Sequence, residues 1–198
     1  MTGDLADAWR RVAESGHTGD EAVARESLAA DDAVLRELAL GALDRLSKLR
    51  DDEVLAAFHD SDHRVRRRAA IIAAKRREIS LAPLLADVDD GVVEAAAWAC
   101  GEHESVSDDE FTTLVSLATV ATEPLVREAA IAALGAIGDR RGLAAILAGC
   151  ADKPAIRRRA VLALAPFAGP EVDAALQAAL QDRDWQVRQA AEDTSPSR

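Results

Sequence analysis

Apolar and polar residues alternate along this chain with two rhythms, a short helical one nested inside a long one. Within DHRVRRRAAII (residues 62–72) the apolar positions fall three to five residues apart, the spacing of one face of an α-helix. The same face returns down the chain. With Val65 as position zero, its equivalents are Leu35, Val92, Val126, Ile156 and Val187, so the six units follow one another at 30, 27, 34, 30 and 31 residues. Position +4 is alanine every time: Ala39, Ala69, Ala96, Ala130, Ala160 and Ala191. Position +1 is arginine in Arg36, Arg66, Arg127, Arg157 and Arg188, with Val93 the exception. Position −3 is acidic in Asp32, Asp62, Asp89, Glu123 and Asp184, while the fifth unit has Lys153 there and Asp152 one step earlier. A period near 30 residues predicts a solenoid of stacked helical units.

Each position has a physical reason. The acid at −3 is placed to cap the helix, where orphan backbone N–H groups and the helix dipole favour negative charge. Positions 0, +4, +5 and +8 form the buried face, as in Val126, Ala130, Ile131 and Leu134. Alanine at +4 lets helices approach closely. The +1 arginine flanks that face, within reach of an acid in its own or a neighbouring turn, and five of them predict a ladder. Between the capped helices lie shorter amphipathic stretches: VLAAFHD, LAPLLAD, FTTLVSLAT, LAAILAG and VDAALQAALQD. The unit is therefore helix, turn, capped helix, repeated six times over residues 19–194. A helix over about residues 4–15 precedes them as an N-terminal cap. The whole of 1–194 is expected as one solenoid, with a disordered tail at 195–198.

Composition supports an all-α reading. Aromatic residues make up 3% of the chain and tyrosine is absent, which suits alanine-rich helices better than strands. The N-terminus lacks a signal-peptide pattern, no apolar run would span a membrane, and Cys100 and Cys150 sit in apolar helical contexts as free thiols. A cytoplasmic monomer is the expectation. The net charge of −11 is localised: residues 78–126 hold 11 acidic side chains and no Lys or Arg.

The segment VREAAIAALGAIGDRRGLAAIL (residues 126–147), with Glu123 as the acid three residues before it, an Ala129-Ala130 pair and the exit Leu134-Gly135-Ala136-Ile137-Gly138-Asp139, resembles a HEAT repeat of the short bacterial kind, the bilin-lyase-like type. The resemblance implies a right-handed α-α superhelix of about six helix pairs. It also implies a non-enzymatic scaffold or adaptor whose concave face takes a protein or peptide. HEAT-like arrays include glycosylases for alkylated purines in DNA, so a nucleic-acid-binding role is the alternative; the acidic middle would repel a duplex. The name of the repeat type raises a third reading, a tetrapyrrole lyase or chaperone.

Candidate chemistry is thin. Among motifs with a mechanism, the P-loop pattern, H-E-x-x-H, C-x-x-C and G-x-S-x-G do not occur. No catalytic residue, cofactor or metal is therefore expected. His59, Asp60, Asp62 and His63 could ligate a metal, but the repeat assigns Asp62 to a cap and the others to a turn. Glu102, His103 and Glu104 form an exit turn with little claim to acid–base chemistry. Arg67, Arg68, Arg158 and Arg159, at +2 and +3, point away from the core and are candidate partner-binding residues; with Lys75, Arg76 and Arg77 they are also the side chains that could meet phosphates. Trp98, at +6, lies opposite the core face, flanked by Glu94 and Glu102. It either fills space between helices or forms the hot spot of a site for a partner carrying basic and apolar groups. Trp9 and Trp185 are expected to cover the two ends of the core.

Overall fold

The computed structural model describes residues 2–103 and 105–195. Among them the chain is all helical: thirteen α-helices, one 3₁₀ turn at Arg140–Gly142 and no strand. The helices gather into two compact units, Met1–Ile79 and Ser80–Arg198. No described helix is long and apolar enough to cross a membrane.

The first unit holds α1 (Thr2–Thr18), α2 (Glu21–Ser27), α3 (Ala33–Arg45), α4 (Asp51–Ala57) and α5 (His63–Ala73). Helix α1 is longer than expected and packs on α2 and α3. Trp9 is half-buried, and its indole Nε1 donates to Asp32 Oδ1 at 3.3 Å, tying the capping helix to the first repeat.

The second unit holds α6 (Ala82–Leu85), α7 (Asp90–Glu102), α8 (Asp108–Val120), α9 (Pro124–Ile137), α10 (Leu143–Gly149), α11 (Pro154–Ala163), α12 (Pro170–Ala179) and α13 (Trp185–Thr194). The capped helices stack in order, α7 on α9, α9 on α11 and α11 on α13. The shorter helices vary more than the repeat suggests. Helix α6 is a single turn, with Pro83 near its start supplying no backbone N–H, whereas α8 runs for 13 residues. Helix α13 reaches Thr194; residues 196–198 of the expected tail lie outside the described residues, as does Glu104.

The periodic positions do what their chemistry requires. All six +4 alanines are fully buried. All five −3 acids cap their helices: Asp32 accepts from the N–H groups of Val34 and Leu35, Asp62 from Arg64, Asp89 from Gly91 and Val92, Glu123 from Leu125, and Asp184 from Gln186. Lys153 provides no such bond.

The arginine ladder has a definite construction. Arg36 grips both carboxylate oxygens of Asp60 at 2.7 Å, Arg127 those of Asp152 at 2.7 and 3.1 Å, and Arg157 those of Asp182 at 2.8 Å. Each acid belongs to the following unit's turn, four or five residues before its position zero. A third nitrogen of each guanidinium donates to carbonyls of its own unit's turn, such as Ala121 and Thr122 for Arg127. Arg66 and Arg188 bond to the matching carbonyls of Asp60 and Ser61, and of Asp182 and Arg183. One rung is replaced as a pair: where an arginine would stand on α7 there is Val93, and where its aspartate would stand before α9 there is Ala121. Val93 is buried, and α7 is buried except along the face that carries Asp90, Glu94, Trp98 and Glu102.

The exit of α9 needs its glycines. Gly138 ends the helix in the left-handed conformation, φ 70°. A Cβ on Gly135 would sit 2.7 Å from Ala163 Cα, so its absence lets α11 close on α9.

Candidate functional site

The faces of the capped helices turned away from their buried alanines form shallow clefts where neighbours meet. The cleft between α7 and α9 has a volume of about 320 Å³ and is lined by Glu94, Trp98, Leu125, Glu128, Ala129, Ala132 and Arg159. Trp98 is 43% exposed, so part of its ring is open to a partner. Small residues at Ala129 and Ala132 leave the ring uncovered. Leu125, exposed at the start of α9, extends the apolar surface.

The second carboxylate of this cleft is not the expected one. Glu102, the last residue of α7, is exposed and does not line the cleft; Glu128 does. The helices close up beyond Trp98, where a Cβ on Gly101 would lie 3.0 Å from Ala133 Cα. The open part of the seam therefore lies toward the start of α7.

Arginines at +2 and +3 divide by role. Arg68 pairs with Glu37 at 3.1 Å and Arg159 with Glu128 at 3.4 Å, in each case a +3 arginine reaching a +2 glutamate on the preceding capped helix. The signal was present in the sequence, since both pairs are 31 residues apart. Glu94, also at +2, meets Ala129 rather than arginine at that position. Arg67 is exposed in the first unit, in a cleft of about 120 Å³ with Glu37, Arg64, Arg68 and Ile71. Arg158 is exposed on α11, in a further cleft of about 120 Å³ that holds Leu162 and Trp185. Trp185 is 64% exposed, contrary to the expectation that it covers the end of the core. It sits two residues before position zero, in the first turn of α13 and off the packing face.

Elsewhere the titratable groups have structural work. Asp60 spends its carboxylate on Arg36 and on the Asp62 N–H, and the bond from Arg36 holds its pKa below the usual carboxylate value. Burial penalises charge on Glu110, but bonds from the Ser107 N–H and hydroxyl, the Leu81 N–H and the Ser80 hydroxyl outweigh it and keep its pKa low. Glu110 thereby closes a capping box on α8 and clamps the chain entering α6. Burial pushes the Cys100 thiol up to about 12, far from a reactive thiolate. Among the described residues, no three His, Cys, Asp or Glu side chains converge as metal ligands.

The chain matches the family described as HEAT repeats over residues 80–165 and 111–194, together more than half its length and beginning with the second unit. No curated protein matches it. Among solved structures, an engineered protein shares 19% identity at a TM-score of 0.66, covering 88% of this chain and 96% of that one. YibA of Escherichia coli shares 20% at 0.61, covering 78% of this chain and 60% of that one. A designed armadillo-repeat protein, solved in complex with the peptide (KR)4, shares 14% at 0.50, covering 98% and 92%. At such identities these likenesses are likenesses of fold.

Proposed function

The chain belongs to the HEAT-repeat family, and from that premise we propose that it is a non-enzymatic scaffold that binds a peptide or protein segment on the outward face of its capped helices, with the Trp98 cleft as anchor. The observation that carries this is the exposed tryptophan ring in a cleft walled by Glu94 and by Glu128, the latter shared with Arg159. A Lys or Arg side chain stacks its cation on such a ring and pairs with a carboxylate, while an adjacent apolar residue covers Leu125. The localised negative charge of residues 78–126 draws a basic partner in. A stacked-helix fold can hold a basic peptide, as the designed armadillo-repeat protein does with (KR)4. The reading for this chain rests on its own residues. Binding of nucleic acid is disfavoured because acids already engage Arg68, Arg76 and Arg159, three of the seven basic side chains that could meet phosphates.

The test is a titration of a labelled Gly-Ser peptide bearing one Lys-Leu pair against the protein and its Trp98→Ala variant. Loss of a hot-spot tryptophan weakens binding by about 30-fold, equivalent to about 2 kcal/mol, mainly through faster dissociation. Neutralising Glu94 and Glu128 slows association and flattens its salt dependence. Unchanged affinity with a lowered melting temperature in Trp98→Ala would make the ring a packing residue. Duplex DNA at low salt is the counter-probe; tight binding with a steep salt dependence would favour the nucleic-acid reading.

A further inference from the structure

A second rung of the ladder is replaced as a pair, at the join of α1 with α3, and there the place stays open. Helix α1 shares the register of the capped helices. A Cβ on its Gly16 would lie 2.8 Å from Ala42 Cα, as one on Gly135 would lie 2.7 Å from Ala163 Cα. Both glycines thus meet the +7 alanine of the next capped helix, and since Gly135 is at +9, so is Gly16. Asp7 is then position zero of α1, and Ala8 stands at +1, where Arg36 stands one unit on. The acid such an arginine would grip is also replaced: Ala30 stands where Asp60 does one unit on. Val93 closes the place of its own lost rung, but Ala8 is too small to do so. Ala8, Val12, Val23, Ala30 and Leu35 line a cleft of about 350 Å³, against about 200 Å³ for the equivalent cleft one unit on, which Arg36 and Asp60 wall. Leu35 is only half-buried, whereas the other five position-zero residues are buried.

Three polar groups at this cleft have no partner among the described residues. Where position −5 is aspartate, its carboxylate accepts from the N–H of position −3: Asp60 from Asp62 at 2.8 Å, Asp87 from Asp89 at 2.9 Å and Asp182 from Asp184 at 2.8 Å. Ala30 cannot, and nothing described accepts from the Asp32 N–H. Arg11 and Glu26, both exposed, line the cleft from α1 and α2 without pairing with each other. The neighbouring acids Asp7 and Glu21 are taken by Arg10 and Arg25.

We infer that this cleft binds a free α-amino acid with an apolar side chain. Its carboxylate stands where the aspartate of a rung would, accepting from the Asp32 N–H with Arg11 as counter-ion. That counter-ion is required, because the Asp32 carboxylate stands to this place as Asp62 stands to Asp60, and Asp60 is held there by both prongs of Arg36. The α-ammonium pairs with Glu26, so a ligand of zero net charge meets an arginine and a glutamate. Its side chain covers Val12, Val23 and Leu35. An acid without the ammonium would set its charge against Glu26 and Asp32, and an amine without the carboxylate would leave Arg11 and the Asp32 N–H unmet. The cleft volume equals the liquid share of about twelve waters, room for a molecule the size of leucine. The site does not depend on the peptide-binding reading of the Trp98 cleft.

Trp98→Phe combined with Trp185→Phe leaves Trp9, bonded to Asp32, as the one indole of the full chain. Leucine titrated into this protein should change its fluorescence saturably in the millimolar range, and saturation-transfer NMR of the leucine methyls should give the same midpoint. N-Acetylleucine and leucinamide each bind weaker by about threefold or more, since each lacks one charged contact. Glu26→Gln lowers leucine to the affinity of N-acetylleucine and does not weaken N-acetylleucine. Ala8→Arg with Ala30→Asp completes the rung, so it should raise the urea midpoint and abolish leucine binding, a loss that unfolding cannot explain. Ala8→Leu, which fills the opening with apolar atoms, abolishes binding as well. No saturable signal by either method overturns the site. So does binding that persists in the Ala8→Arg, Ala30→Asp chain, which puts the ligand elsewhere. Equal binding of leucine, N-acetylleucine and leucinamide overturns the amino-acid assignment, because only an apolar contact would then remain.

Discussion

Ala130 and Trp98 show how differently two single positions in neighbouring helices are constrained. Ala130 is fully buried on α9, where α7 and α11 both pack. Ala130→Leu adds three carbon atoms to a seam without room for them and should cost about 1–3 kcal/mol, read as a lower urea midpoint with an unchanged m-value. Trp98 faces outward, and its replacement should alter binding rather than folding. The +4 alanines were legible in the sequence because burial leaves a periodic mark. The exposure of Trp98 was not, because whether an outward ring is covered depends on the neighbouring helix, here on Ala129 and Ala132.

At the scale of the element, the ladder converts a sequence period into a bond between consecutive units. Arg157 and Asp182 retain only 10% and 15% of their side-chain exposure, so the pair is shielded enough to matter. Arg157→Gln leaves Asp182 without its two-pronged partner and should cost about 1.5–3 kcal/mol by chemical denaturation, as expected for hydrogen bonds to a charged group. The pH dependence follows. Hydrogen bonding to arginine lowers the folded-state pKa values of Asp60, Asp152 and Asp182. The stability they contribute is fully present above the unfolded aspartate value of about 3.9 and is lost as pH falls through the lower folded values. Melting temperature should therefore hold from neutral pH down to about 5 and fall below about 4. Asp182→Asn should be less stable at pH 7, with a shallower acid fall; an equally steep fall would mean that Asp182 is not among the groups responsible. The acids were visible as turn residues, but their pairing with the preceding unit's arginine appears only when the units stack.

For the whole molecule, the division before Ser80 sets an expectation about independence. Within Ser80–Arg198 the chain closes on itself from its first residues, because Glu110 holds both Ser80 and Leu81. A fragment of residues 80–198 should be helical by circular dichroism and melt in one cooperative transition. Glu110→Gln should broaden or lower that transition, since it removes the charge that the four donors surround. A fragment without a cooperative melt would show that the second unit cannot fold alone.

Periodicity was sufficient to determine that the described residues form an all-helical fold, that six helices bury the same face, and which acids cap five of them. Caps and helix faces depend on residues within one or two turns, so their chemistry is local and written in order along the chain. The tertiary structure alone decided what lies between helices. It set Glu128 rather than Glu102 beside Trp98, left Trp185 in the open and reduced α6 to a single turn. Those outcomes depend on how closely neighbouring backbones approach, at Gly101 against Ala133 and Gly135 against Ala163, and that distance is a property of the packed pair rather than of either segment.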